Sequence, residues 1–177
     1  VWEFTEPFNV IAAPAVVDDT VYIGSRNFDP DSGTLYALDS RTGDEEWSYE
    51  TSGKIETSAT VANDGTVIVV TEDGIAHAID SQTGEANWEY SELDFESEAN
   101  TPTIYNGKLY VTDTRLHAVE IESGEADWIF DREIDFPDDI RSPTVVDDLS
   151  EGTSEDSRVR QGILGHNDYW ATRATVD

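Results

Sequence analysis

The 177-residue chain has no cysteine and no methionine. Without cysteine it can build neither a disulfide framework nor a thiolate metal site. Without methionine, even at position 1, it is expected to be a processed or excised piece of a longer protein, any signal peptide or anchor having been lost. Lysine is nearly missing too. Lys54 and Lys108 are the only two, and 10 cations in all stand against 39 carboxylates, a formal charge of −29. Nucleic acids and anionic membrane surfaces are both held by clustered cations, so neither is an expected partner. No apolar run is long enough to cross a bilayer, so membrane insertion is not expected either.

So large a charge raises the question of disorder. Here, however, hydrophobic residues make up 37% of the chain and aromatics 10%, and they fall in strand patterns, which implies a folded domain. Surface carboxylate with scarce lysine fits a protein that works in molar salt, as in extreme halophiles. There the Debye length shrinks to about 3 Å and self-repulsion is silenced.

What the chain does contain is a repeat. Ala37-Leu38-Asp39-Ser40-Arg41-Thr42-Gly43-Asp44-Glu45-Glu46-Trp47 returns as Ala78-Ile79-Asp80-Ser81-Gln82-Thr83-Gly84-Glu85-Ala86-Asn87-Trp88. It returns again, loosened, as Ala118-Val119-Glu120-Ile121-Glu122-Ser123-Gly124-Glu125-Ala126-Asp127-Trp128, at tryptophan spacings of 41 and 40. A period near 40 built of short strands predicts an all-β propeller with one four-stranded blade per repeat. Asn63-Asp64-Gly65 and Asn106-Gly107 mark tight hairpins inside the repeats, because these residues tolerate positive φ. The spacing predicts blades over 12–50, 55–90 and 99–130. An incomplete fourth over 141–177 carries an acidic loop from Asp147 to Ser157 and has Trp170-Ala171 where the first has Tyr36-Ala37. Residues 1–4 read as an outer strand. They either complete the fourth blade, in one chain or across a homodimer, or end a preceding blade of a larger propeller.

The repeated motif has a mechanical logic. Gly43, Gly84 and Gly124 sit where the turn requires positive φ. The Asp and Thr before each can bond the turn backbone. Ala37, Ala78 and Ala118 leave room beside a large ring, so Trp2, Trp47, Trp88 and Trp128 are expected to dock neighbouring blades, burying about 150–250 Å² each. This motif resembles the tryptophan-docking motif of the pyrroloquinoline-quinone-like (PQQ-like) repeat family, and the resemblance runs from Trp2 to about Ala171. The third copy departs from it at Glu120 and Ser123.

The resemblance implies two kinds of activity. Some members are quinoprotein dehydrogenases that hold the quinone and a calcium ion on the propeller axis, commonly with eight blades, adjacent cysteines and a catalytic Asp. Others bind no quinone and act as assembly lipoproteins or as sensor domains attached to kinases. A chain without cysteine and with about half the blades stands nearer the second kind. The expectation is therefore a non-enzymatic scaffold for protein–protein interaction, outside the cytoplasm or at the cell surface. It has no catalytic residues and no cofactor; PQQ with calcium belongs to the alternative reading of a dehydrogenase fragment, and a ligand-sensing domain is a third.

Candidate sites are few. Asn27, Asp29 and Asp31 alternate along an apparent insertion between the second and third strands of the first repeat, a calcium-like pattern of oxygens. Gly33 and Pro30 do not fit an EF-hand. Phe8, Phe95 and Phe136 lie on loops that gather on one propeller face and form a candidate partner patch. Asp135, Asp138, Asp139 and Arg141 read as a solvated acidic loop. His77 and His117 occupy the position of Tyr36 in successive blades, which makes them packing residues rather than convergent ligands. His166 has no nucleophile pattern beside it.

Overall fold

Runs of β-branched and aromatic residues, broken by Asn, Asp and Gly, fold into three four-stranded antiparallel sheets, each a consecutive meander. The first sheet, blade 1, contains β1 (Ala15–Val17), β2 (Thr20–Phe28), β3 (Asp31–Asp39) and β4 (Glu45–Thr51). Blade 2 contains β5 (Thr60–Val61), β6 (Thr66–Val70), β7 (Ala76–Asp80) and β8 (Ala86–Tyr90). Blade 3 contains β9 (Thr103–Tyr105), β10 (Lys108–Thr112), β11 (Leu116–Glu120) and β12 (Ala126–Phe130). The hairpin β13 (Arg160–Gly162) and β14 (Ala171–Arg173) stands apart in the pairing. This computed structural model describes residues 1–5, 9–10, 12–28, 31–94 and 100–130, with the backbone of 160–162 and 171–173. Asp29, Phe8, Phe95, Phe136, His166 and most of the fourth repeat lie outside the described residues.

The inner strands adjoin in series, β1 beside β5 and β5 beside β9, so the sheets stack as propeller blades. Period-2 alternation then sends successive side chains of one strand into different interfaces. On β6, Val67 and Val69 join Tyr22, Leu35, Ala37, Ile55 and Ile79 in the core between blades 1 and 2. Ile68 and Val70 join Ala78, Tyr90, Leu109, Val111 and Val119 in the core between blades 2 and 3. All of β6 is therefore buried, and each fully buried Val or Ile contributes about 1.5–3 kcal/mol.

Each blade bends at the same place. Ala37 faces Trp47, Ala78 faces Trp88 and Ala118 faces Trp128, and the register slips by one residue directly after each alanine. Such a bulge twists the outer strand and re-aims its side chains. Strands β2 and β3 reach nine residues each, against five for β6, β7, β10 and β11. The segment read from sequence as an inserted loop is an extension of this hairpin, with Asn27 paired to Ser32 and Phe28 to Asp31. Beyond the ladder, Arg26 pairs with Glu56 and Phe28 lies against Lys54, contacts with the segment between β4 and β5 that favour the extended hairpin.

Candidate functional site: the loop face and the joints between blades

The two faces of the stack differ in what they carry. One is built from the repeated turns, where the tryptophans land. Trp2 Nε1 donates to Ser40 O at 3.0 Å, Trp47 Nε1 to Ser81 O at 2.8 Å and Trp88 Nε1 to Ile121 O at 2.7 Å. Each indole thus reaches the turn of the next blade and covers its glycine, Gly43, Gly84 or Gly124, all at φ between 72° and 77°. A Cβ there would stand 2.5 to 2.9 Å from the nearest indole carbon, so glycine is needed for space as well as for φ. Asp39 accepts the amides of Arg41 and Thr42, and Asp80 those of Gln82 and Thr83. These bonds, that to the threonine amide first, hold both carboxyls below their usual range. In the third copy Glu120 turns instead to Lys108, at 2.6 Å.

The opposite face gathers the β2–β3, β6–β7 and β10–β11 hairpins and the loops that lead into the inner strands. Backbone bonds tie these together: Arg26 N to Asn9 O, Ile55 N to Ser25 O and Glu72 N to Lys54 O. The extended β2–β3 hairpin carries Phe28, which is 57% exposed. Arg26 Cζ and Lys54 Nζ each stand 5.0 Å from its ring centroid, within cation–π range. Both cations are also ion-paired, Arg26 to Glu56 at 2.8 Å and Lys54 to Asp31 at 3.1 Å and Glu72 at 2.9 Å. The Glu72 bond holds the Lys54 ammonium above its ordinary range.

Two of the sequence-derived calcium candidates are thus placed: Asn27 on β2, and Asp31 on β3 with its carboxylate against Lys54. Among the described residues no three His, Cys, Asp or Glu side chains form a group that can hold a metal. Phe28, Arg26 and Lys54 were not singled out by sequence reasoning. The signal available was Phe28 itself, an aromatic inside an otherwise polar segment.

Between the faces lie the joints, where the aromatic two residues past Trp2, Trp47 and Trp88 meets the next blade. Phe4 packs edge-on against Tyr36 with centroids 5.1 Å apart. Tyr49 meets His77, and Tyr90 meets His117, each with centroids 5.8 Å apart. His77 and His117 are both buried. Tyr49 Oη lies 3.4 Å from His77 Nδ1 and donates to Glu89 Oε1 at 3.2 Å, while Thr71 Oγ1 lies 3.4 Å from Nε2. Tyr90 Oη lies only 2.8 Å from His117 Nδ1, and burial pushes the Tyr90 phenol up to about 12. His117 Nε2 stands 3.1 Å from Asp113 Oδ2, both side chains being fully buried. Asp113 also accepts the amides of Asp94 and Arg115 and a guanidinium N–H of Arg115. Burial pushes the Asp113 carboxyl up, but these bonds outweigh it and hold it below its usual value. Burial, again the largest cause, holds both imidazoles below their ordinary value, so both are neutral at pH 7. Repeat equivalence located His117 in the sequence; Asp113 and Arg115 carried no signal there, because carboxylates are everywhere in this chain.

Stacked four-stranded blades, a 40-residue period and an outer-strand tryptophan seated on the next blade's glycine turn define a PQQ-like repeat β-propeller. Residues 1–148 match the family model described as outer membrane protein assembly factor BamB, and the chain belongs to that family. The structure is similar to crystalline BamB from Moraxella catarrhalis (TM-score 0.63, 23% identity), covering 81% of this chain and 43% of that one. It is also similar to a quinohemoprotein alcohol dehydrogenase of Pseudomonas putida HK5 (TM-score 0.59, 24% identity; 73% and 21% covered). A third likeness is to the computationally designed Ika4 protein (TM-score 0.63, 14% identity; 98% and 94% covered). The chain thus spans less than half the length of the BamB structure it matches, and these likenesses are of fold. No curated protein sequence matches the chain.

Proposed function

We propose that this propeller is a non-enzymatic scaffold that binds a protein partner through its loop face, outside the cytoplasm. The observation that carries the reading is the match of residues 1–148 to the outer-membrane assembly-factor family. The chemistry supports it. His77, His117 and Asp113, the perturbed groups that would mark a reaction centre, are buried in the joints and engaged with neighbouring blades. The loop face instead offers an exposed aromatic, Phe28, on the longest hairpin of the described residues, held by two cations whose charge is already compensated. Exposed aromatics on loops carried by a rigid sheet are the usual anchors of protein contacts. In our reading Phe8, Phe95 and Phe136, which the sequence pattern assigns to this face, extend the patch. The −29 surface suits work in molar salt.

The test is a photo-crosslinking residue placed at Phe28 in cells, with the crosslinked protein identified and its affinity measured by calorimetry in molar KCl. Phe28→Ala should weaken that affinity at least tenfold, a hot-spot loss of about 1.4 kcal/mol or more. An unchanged affinity removes the loop face from the proposal. Stoichiometric binding of pyrroloquinoline quinone with calcium replaces the scaffold reading by the dehydrogenase one.

A further inference from the structure

The same repeat position holds histidine in two successive joints, and the two sites meet a proton differently. Around His77 stand Tyr49 from β4, Asp73 from the β6–β7 hairpin and Glu89 from β8. Glu89 is half-exposed, and its Oε1 lies 3.3 Å from His77 Nδ1. A proton added to His77 therefore finds a hydrated carboxylate that already faces it.

His117 also faces a carboxylate, that of Asp113, but this one is fully buried and already paired with Arg115. Around His117 stand Tyr90 from β8, Glu92 and Asp94 from the segment after β8, and Asp113 and Arg115 from the β10–β11 hairpin. Asp113 Oδ2 is the nearest carboxylate oxygen, but it already takes the Asp94 amide at 2.9 Å and the Arg115 guanidinium at 3.1 Å. His117 Nε2 makes no hydrogen bond of good geometry although it is buried. An imidazolium there would place two cations on one occupied oxygen, in a site closed to water.

We propose that the joint between blades 2 and 3 is an acid-sensitive latch: protonation of His117 loosens the Tyr90–His117–Asp113 contact, while Glu89 lets the joint between blades 1 and 2 accept the same proton. The geometry is supported by the direction in which burial moves His117, below its ordinary 6.5. A histidine held neutral in the folded state adds stability that is full above the unfolded value. That stability is lost as pH falls from 6.5 toward the lower folded value. The ordinary value of a carboxylate lies at about 4, below this window, so acidification through it acts on histidine. Opening this joint would uncover the Leu109, Val111 and Val119 side of its core and the Trp88 seat at Gly124. The inference is independent of the proposed partner.

The test is hydrogen exchange followed by mass spectrometry on the full chain in molar KCl. Protection factors at about pH 7.5 and about pH 5.5 are compared after correction for intrinsic rates. The expected result is a loss of protection of roughly tenfold in β8 and β11 at the lower pH, with β3 and β4 little changed. His117→Gln should abolish the acid-dependent part and His77→Gln should leave it. Arg115→Gln frees Asp113 Oδ2 for the imidazolium, so it should shrink the acid loss even if it lowers protection at neutral pH. An equal loss in all blades, an undiminished loss in His117→Gln, or a larger one in Arg115→Gln would overturn the latch. Should His117→Gln not fold, NMR titration of the wild-type imidazole decides: a His117 midpoint at or above its ordinary value overturns it.

Discussion

The joint between blades 1 and 2 and the joint between blades 2 and 3 share one plan and differ in their reserves. Both have an indole on a glycine turn, a tyrosine against a histidine, and aliphatic residues from alternate positions of β6 or its neighbours. In the first, the polar partners of the histidine are a threonine and a half-exposed glutamate. In the second they are a shorter tyrosine contact and a carboxylate with no exposure at all. Repetition of sequence thus reproduced the packing but not the electrostatics, because the packing depends on the repeated residues and the electrostatics on residues between them.

The largest expected effect tests the shared part. Trp88→Ala should destabilise the protein by about 3 kcal/mol in chemical denaturation, since a large ring is lost and its turn uncovered. Trp47→Ala should cost a similar amount, and a difference of more than about 1 kcal/mol between them would show that the joints are not equivalent in packing. Gly124→Ala should follow at about 2–3 kcal/mol, combining positive φ with a Cβ directed into the Trp88 ring. Gly107 has nearly the same φ, 75°, with nothing within 4 Å of the added Cβ. Gly107→Ala should therefore cost only about 1 kcal/mol, and equal costs would mean that the indole seat contributes nothing.

The next pair tests the difference. Asp113→Asn should cost about 2 kcal/mol at neutral pH by leaving the Arg115 guanidinium without its counter-charge beside the neutral, buried imidazole. Because the Asp113 carboxyl is held below its ordinary 3.8, its contribution is full above that value. It is lost as pH falls through the lower folded value, so the variant's stability should be flatter in that range. Glu89→Gln, on the exposed side of the other joint, should change stability by no more than about 0.5 kcal/mol. Lowering KCl from molar to about 0.1 M should lower the melting temperature of the whole chain, both joints together, as the Debye length grows from about 3 to about 10 Å. A selective loss of one joint at low salt would tie its electrostatics to the surface charge.

Much of the fold could be read from the chain because its signals are local and repeated. Asn106-Gly107 forms its hairpin turn with both residues at positive φ, and the alanine-to-tryptophan spacing sets the bulge that recurs in the three described blades. The Asn27–Gly33 segment was misleading for the opposite reason. Its polar residues resemble a loop, yet the β2–β3 ladder extends to the pairs Asn27–Ser32 and Phe28–Asp31, and Arg26 meets Glu56 and Asn9 on neighbouring segments that no local pattern reveals. Phe28 was overlooked beside Asn27 for the same cause: its place between two cations depends on Lys54, which arrives from the segment between β4 and β5.

By itself the sequence determined the all-β class, the repeat length, the glycine turns and the family, because each depends on residues within one period of about 40. Only the tertiary structure decided that each indole seats on the blade after its own, that His77 and His117 are buried beside different acids, and that Arg26 and Lys54 converge on Phe28. The indole seats join residues 33 to 38 positions apart and the tyrosine–histidine contacts residues 27 and 28 apart, and such distances are closed by stacking blades, which couples side chains that no single repeat contains.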